Sequence, residues 1–525
     1  MAFSMRFRHY PLVIIHYSLA VCAFCAQICA QTAGAQTTTY RAHGAVGDGV
    51  TDDFDAIIKT HEAANKAGLK VRADAGATYY IGGAAKTAVI QTDTDWGDAK
   101  FIIDDRNVEN RRTHVFLVSS KLPHSEITTI KTLKKNQAKL DLSLQHDSVI
   151  IVTDTTTMRY IRMGLNQHNG FPQTDVFVTD KKGSIDMRAP IIWDYDNITS
   201  MTARPIDPET LLIKGGYFTT IANQVESRNG YNYYSRGIAI TRSNVVVDGL
   251  AHAITGELEH GSPYGGFIEV TNCAGVTVQN CGLSGRKTYV TIGSAGKPVS
   301  MGSYGLGSRR TVNLTVKNCK QLNSIHDRSL WGIFISDYSK NITFDNVEFS
   351  RFDAHMGVAN ATIRNCVLGH HGINLIGSGV FLVENTRVHA RCFINLRDDY
   401  GSTWEGEIIL RGCEFFPTRD GRSDFAVLVD GTNTGRHDFG YTCYMPEKIT
   451  IDGLVIHDAN PPPGYRGPKI LAPFNKEYTS EDHKAAHPCV ITREINIKNL
   501  KILGGKPWVI SDNPFMFRNV KITEE

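Results

Sequence analysis

The sequence predicts an all-β chain wound into a parallel β-helix, a solenoid whose coils are interrupted by loops. Three observations predict it: a recurring strand phrase, cysteines at one place in that phrase, and polar residues gathered ahead of a second recurring strand.

In the phrase, an alternating apolar strand runs into Asn or Gly, then Cys or another apolar residue, then a further strand. It appears at Val276 to Cys281, Leu314 to Cys319, Ile342 to Val347, Thr362 to Cys366, Phe381 to Thr386, Ile409 to Cys413, Ile449 to Leu454 and Ile495 to Leu500. From Asn280 to Asn499 its Asn or Gly positions are separated by 38, 28, 19, 20, 27, 41 and 46 residues. A period near twenty that stretches without resetting is the mark of stacked coils carrying insertions. Asn and Gly suit a bend with left-handed backbone geometry. Cys281, Cys319, Cys366 and Cys413 occupy one place in their coils and are expected to stack inside as small apolar groups, with a disulfide ladder as the alternative in an exported protein.

Composition agrees with a large folded chain. Hydrophobic residues make up 42% and charged residues 21%, enough for a sizeable core and against overall disorder. Lys plus Arg number 56 against 53 Asp plus Glu, a formal charge of +3, which excludes a globally basic nucleic-acid binder. Residues 1–35 read as an export signal: Arg6 and Arg8 precede an apolar run from Leu12 to Ala26, and Ala33, Gly34 and Ala35 form a cleavage site. Cleavage ahead of Cys22, as in a lipoprotein, is the second reading. No later stretch is apolar enough to span a membrane. The expected product is an exported monomer with one domain over residues 36–525, and residues 84–200 contain a β insertion.

Residues Gly44 to Ile57 form a Gly, Asp and Thr turn that caps a helix beginning near Phe54, and Thr78 to Ile81 follow as a strand. This segment resembles the start of proteins in the pectate lyase and polygalacturonase superfamily. The resemblance implies a right-handed parallel β-helix with a short N-terminal capping helix, acting on polysaccharides.

The second strand recurs at Gly265 to Val270, Trp331 to Ile335, Met356 to Ala359, Gly372 to Ile376, Cys392 to Leu396 and Phe425 to Val429. Ahead of these strands stand Glu257, Glu259 and His260; His326 and Asp327; Asp353 and His355; His370 and His371; His389 and Arg391; and Asp424. Stacked coils place such residues in a ladder along one outer face, and titratable groups converging in a cleft mark a candidate site. Against the polygalacturonase branch, Gly369 to Gly372 looks like the histidine motif and Arg397 like its arginine. The carboxylates depart from the pattern, with Ala354 and His355 where paired aspartates are required and Ser329 and Leu330 where the first aspartate is required.

β-Elimination beside a uronate carboxylate needs a neutraliser, a base and an acid. His355 and His371 are the expected base and acid, Arg391 and Arg397 the neutralisers, and Asp353 a further catalytic candidate. Glu259, His260, Asp327, Trp331, His370 and Tyr400 are the candidate substrate contacts, the aromatic ones through stacking on sugar rings. Asp337, Asp353 and Asp398 are candidates for Ca²⁺, whose preferred ligands are oxygens. Lyases of this superfamily more often use Lys or Arg as base and Ca²⁺ as neutraliser, and a histidine site departs from them. The expected function is a lyase acting on an acidic polysaccharide such as pectin or a glycosaminoglycan. The alternatives are a glycoside hydrolase using Asp327 and Asp353, and a non-catalytic carbohydrate-binding β-helix.

Overall fold

The computed structural model describes residues 36–418 and 425–525. The expected export signal and Asp424 lie outside the described residues.

The chain is a parallel β-helix of three sheets. The first is built from the predicted phrase: Val245 pairs with Val276, Val276 with Leu314, Thr315 with Thr343, Phe344 with Ile363, Ile363 with Val383, Val383 with Leu410, Leu410 with Ile451, and Ile451 with Ile497, all in parallel. Each of these strands ends in a one-residue bend. The bend residues Asn280, Asn318, Asn346, Asn365, Asn385 and Asn499 have φ between 46° and 56°, and Gly412 and Gly453 share the positive sign. The Asn side chains tie rung to rung, Asn346 donating to Asn318 at 2.9 Å and Asn318 to Asn280 at 3.2 Å. The cysteines follow the bend into the interior, where Cys281, Cys319, Cys366 and Cys413 are buried free thiols. Short strands make the second sheet, such as the two-residue Arg387–Val388 stacked on Glu414–Phe415.

The third sheet completes the coil. Ile268 pairs with Leu306, Leu306 with Phe334, Phe352 with Ile373, Ile373 with Ile394, and Ile394 with Val429. One rung differs from expectation. The strand expected at Met356 to Ala359 belongs to the turn onto the first sheet, and the third-sheet rung is Phe352 with Asp353, which faces Asn374. Sequence alone misplaced it because Glu348–Arg364 is one uninterrupted strand of 17 residues, rounding its corners without a conventional turn.

At the N-terminal end, the helix Phe54–Ala67 buries Phe54, Ile57 and Ala64 against the first coil. Asp53 anchors the preceding turn by accepting the backbone N–H groups of Val46 and Gly47 at 2.6 and 3.0 Å. Between the third-sheet strand Phe116–Val118 and the first-sheet strand beginning at Leu211 the chain inserts a four-stranded antiparallel sheet, Ser125–Glu126, Ser148–Arg159, Phe171–Thr179 and Ser200–Pro205. It has its own small core around Ile150, Phe177, Ile191 and Met201. It docks on the coil through Val149, Val176 and Ala189 against Ala274 and Val312. A fully buried ion pair, Lys340 to Asp175 at 2.7 Å, clamps the same contact. No described helix is long and apolar enough to cross a membrane.

Candidate active site

Variable loops leave the coil on both sides of the third sheet, so its outer face lies at the bottom of a groove. Outward side chains alternate with the buried ones along each strand, and successive rungs present Asp353, Asn374, Asn395 and Asp430 in a column. Asn395 donates to Asn374 at 2.9 Å. Three connected hollows run along the groove. One of about 340 Å³ holds Arg328, His370 and His371. The next, about 330 Å³, holds Arg391, Asp398, Asp430 and Lys476. The widest, about 560 Å³, is bounded by Asp398, Asp399, His437 and the segment Met163 to Asn166.

Between the two ends runs a continuous chain of opposite charges. Arg351 meets Asp353 at 2.8 Å, Asp353 meets Arg397 at 2.8 Å, Arg397 meets Asp399 at 2.9 Å, and Asp399 meets Arg162 at 3.2 Å. Arg162 then reaches His355 Nε2 at 2.8 Å, His355 Nδ1 meets Asp337 at 3.0 Å, and Asp337 meets Arg309 at 3.1 Å. Arg162 also donates to the Tyr400 hydroxyl and lies 4.5 Å over its ring, and that hydroxyl is 3.3 Å from His355 Nε2. Asp337 is buried, which disfavours its charge, yet the bond to His355 and the nearby Arg309 hold its carboxyl below the ordinary value. With Asp337 ionised, His355 places its proton on Nδ1 and turns the Nε2 lone pair toward Arg162. The imidazole is 22% exposed. Burial pushes the Tyr400 phenol well up, so it remains protonated.

The sequence candidates divide between two ends of the groove. His355 lies at the end where chains leave the third sheet, with Arg397 and Tyr400. His371 lies at the entering end, its ring 5.7 Å from Trp331, whose own face is covered by Arg351 at 4.5 Å. Burial, with Arg351 and His370 nearby, pushes the His371 pKa down to about 2, so it stays neutral. The two histidines are therefore not partners in one contact, as the misplaced rung had suggested. His370 is pinned between the Ile325 and Leu330 carbonyls at 3.0 and 3.2 Å. Arg391 pairs with Asp430 and reaches Asn395 at 3.2 Å.

Asp353 is fully buried, and besides two arginines it accepts the Tyr304 hydroxyl at 2.8 Å. Burial opposes its charge, but Arg351 and Arg397 hold its pKa well below the ordinary value. It anchors both guanidiniums and presents no oxygen to the groove. Asp327, the other carboxylate of the hydrolase alternative, is exposed and accepts the Ser329 hydroxyl at 2.8 Å. Glu259 and His260 are exposed on a loop three rungs earlier, apart from the charge chain. The Ca²⁺ candidates do not fit a cation: Asp337 and Asp353 are taken by His355 and arginines, and among the described residues no cluster of three or more Asp, Glu, His or Cys is arranged to hold a metal.

Sequence reasoning missed Arg162, Arg351, Asp399 and Asp430. Asp399 and Asp430 adjoin recognised residues and were findable by extending the ladder past the strands. Arg162 comes from the insertion, whose pattern carries no solenoid period.

No protein-family model matches the sequence and no curated protein matches it. Several solved structures align along most of its length. The Gp54 tailspike of Acinetobacter baumannii bacteriophage AP22, in complex with A. baumannii capsular saccharide, is 9% identical over 93% of this chain and 79% of its own, with a TM-score of 0.48. The surface adhesin PfbA of Streptococcus pneumoniae is 12% identical over 90% of this chain and 93% of its own, at 0.39. The family 28 exopolygalacturonase of Yersinia enterocolitica is 10% identical over 92% and 78%, at 0.38.

Proposed function

We propose that the protein cleaves an acidic polysaccharide by β-elimination in this groove. The observation that supports the reading is the group formed by Asp337, His355, Arg162 and Tyr400: an oriented imidazole, a guanidinium and a neutral phenol within hydrogen-bond reach of one another.

A uronate carboxylate is a stronger acceptor for a guanidinium than an imidazole nitrogen is, through its two-pronged match. On binding, it draws Arg162 from His355, and because Arg162 also covers the Tyr400 ring, this one movement opens both groups. The guanidinium disperses the carboxylate charge and acidifies the adjacent C5–H bond. His355 Nε2 takes that proton, the electron pair forms the C4–C5 double bond, and the C4–O4 bond breaks. Tyr400 gives its proton to the departing O4, and transfer from His355 to the phenolate restores the resting state. Asp337 stabilises the intervening imidazolium. Arg397 and Arg391 add positive charge along the floor, and Trp331 with His371 supplies a face for a neighbouring sugar.

Incubation with uronate polymers is expected to raise ultraviolet absorbance from the conjugated product, and His355→Gln to abolish it. New reducing ends without that absorbance would overturn the reading.

One arrangement favours hydrolysis as a second reading: Asp398 and Asp399 together line the widest hollow of the groove. The adjacent carboxyls Asp398 and Asp399 are driven apart. The desolvating groove wall and the neighbouring Asp399 charge raise Asp398, while Arg397 and Arg162 outweigh burial and lower Asp399. Such a split suits an acid and a base. In that case Asp398→Asn abolishes turnover while His355→Gln retains most of it.

A further inference from the structure

A second cavity, of about 280 Å³, lies between the inserted sheet and the coil. It is separated from the groove by Tyr160, a buried residue whose ring meets Tyr400 at 5.6 Å on the groove side and Tyr338 and Tyr441 at 5.6 and 5.3 Å on the cavity side. Its walls include Trp193, Tyr338, Tyr441 and Tyr444. Trp193 and Tyr441 lie 6.0 Å apart with their planes inclined by 31°.

The charges here cancel. Lys135 meets Glu405 at 2.5 Å, Lys340 meets Asp175 at 2.7 Å, and the Lys135 backbone N–H donates to Asp194 at 2.7 Å. Arg159 lies over the Trp193 ring at 4.6 Å and gives its Nε proton to Gln173 at 2.8 Å. Three cationic side chains thus stand with three carboxylates, in contrast to the arginine-rich groove. Thr174, Ser378, Thr403 and Thr442 supply hydroxyl groups around the same space. Aromatic faces with hydroxyl partners and no surplus charge match a ring that is apolar on its face and hydroxylated at its edge. At about 280 Å³, just under the ~300–1,000 Å³ usual for small-molecule sites, the space suits one or two such rings.

We propose that this cavity binds an uncharged sugar unit, separate from the acidic units taken by the groove. The inference does not depend on which reaction the groove performs.

The test is a glycan array carrying neutral and uronate-containing oligosaccharides, probed with the full chain. At least one neutral glycan is expected to bind. Trp193→Ala, which removes a stacking wall, and Thr442→Trp, which fills the cavity from an exposed position, are each expected to weaken that binding about tenfold or more, the latter at an unchanged thermal midpoint. Should Trp193→Ala fail to fold, Thr442→Trp decides alone. An array without a neutral ligand, or neutral binding indifferent to Thr442→Trp, overturns the proposal.

Discussion

Arg162 concentrates the chemistry of the site in one side chain, because it touches the proposed base, the proposed acid and an ionised carboxylate together. Lysine keeps the charge but loses the planar fork. Arg162→Lys is therefore expected to lower kcat/KM by about 10²–10³, the range for removing one oriented donor from a developing charge. Steady-state elimination kinetics on a uronate polymer check this. Asp353 behaves differently. Removing its charge strands the buried Arg351 guanidinium and leaves Arg397 with Asp399 alone, and breaking such a pair costs about 3–5 kcal/mol. Asp353→Asn is expected to lose stability and turnover together in denaturation and activity measurements, whereas a purely catalytic carboxylate would lose turnover alone.

Among the elements, the inserted sheet depends on its buried clamp. Lys340→Met alone leaves Asp175 charged and unpaired inside, an expected loss of about 3–5 kcal/mol, and adding Asp175→Leu is expected to recover most of it. Denaturant midpoints of the single and double variants decide this. The bends of the first sheet make a sharper case, since left-handed backbone costs a residue with Cβ about 1–2 kcal/mol. Asn318→Ala is expected to cost about that much, and Asn318→Gly less. The same contrast explains what the sequence disclosed. The bend between the first and second sheets was legible from Asn280 to Asn499 because one residue with one backbone requirement repeats there. The corner beyond Asp353 was not, because apolar alternation runs through it and admits two registers. That ambiguity placed His355 beside His371, and the fold returns it to Asp337. Arg162 left no trace in the solenoid pattern because its position is set by how a separate sheet docks.

For the whole molecule, several histidines are held neutral, His61 and His252 in the interior and His371 half-buried in the groove wall. Burial lowers His61 to about 3 and His371 to about 2, and it depresses His252 strongly. Below the ordinary histidine value of 6.5 the unfolded chain takes up these protons and the folded chain does not, so stability falls as pH falls. Each such group contributes up to about 1.4 kcal/mol per pH unit between its two pKa values. His371→Gln is expected to flatten the decline in stability between pH 6 and about 4, as read from urea midpoints across that interval. An unchanged slope would show that His371 titrates normally in the folded chain.

The one-residue bends have a consequence for descent as well as for folding. Left-handed asparagines secure the corner far from the groove and recur at Asn272, Asn313, Asn341 and Asn360 between the third and first sheets, while the corners that enter the third sheet carry segments of very different length. Loops at those corners can therefore be exchanged between relatives without rethreading the coil. A chain built on this plan can change its groove while its scaffold stays the same.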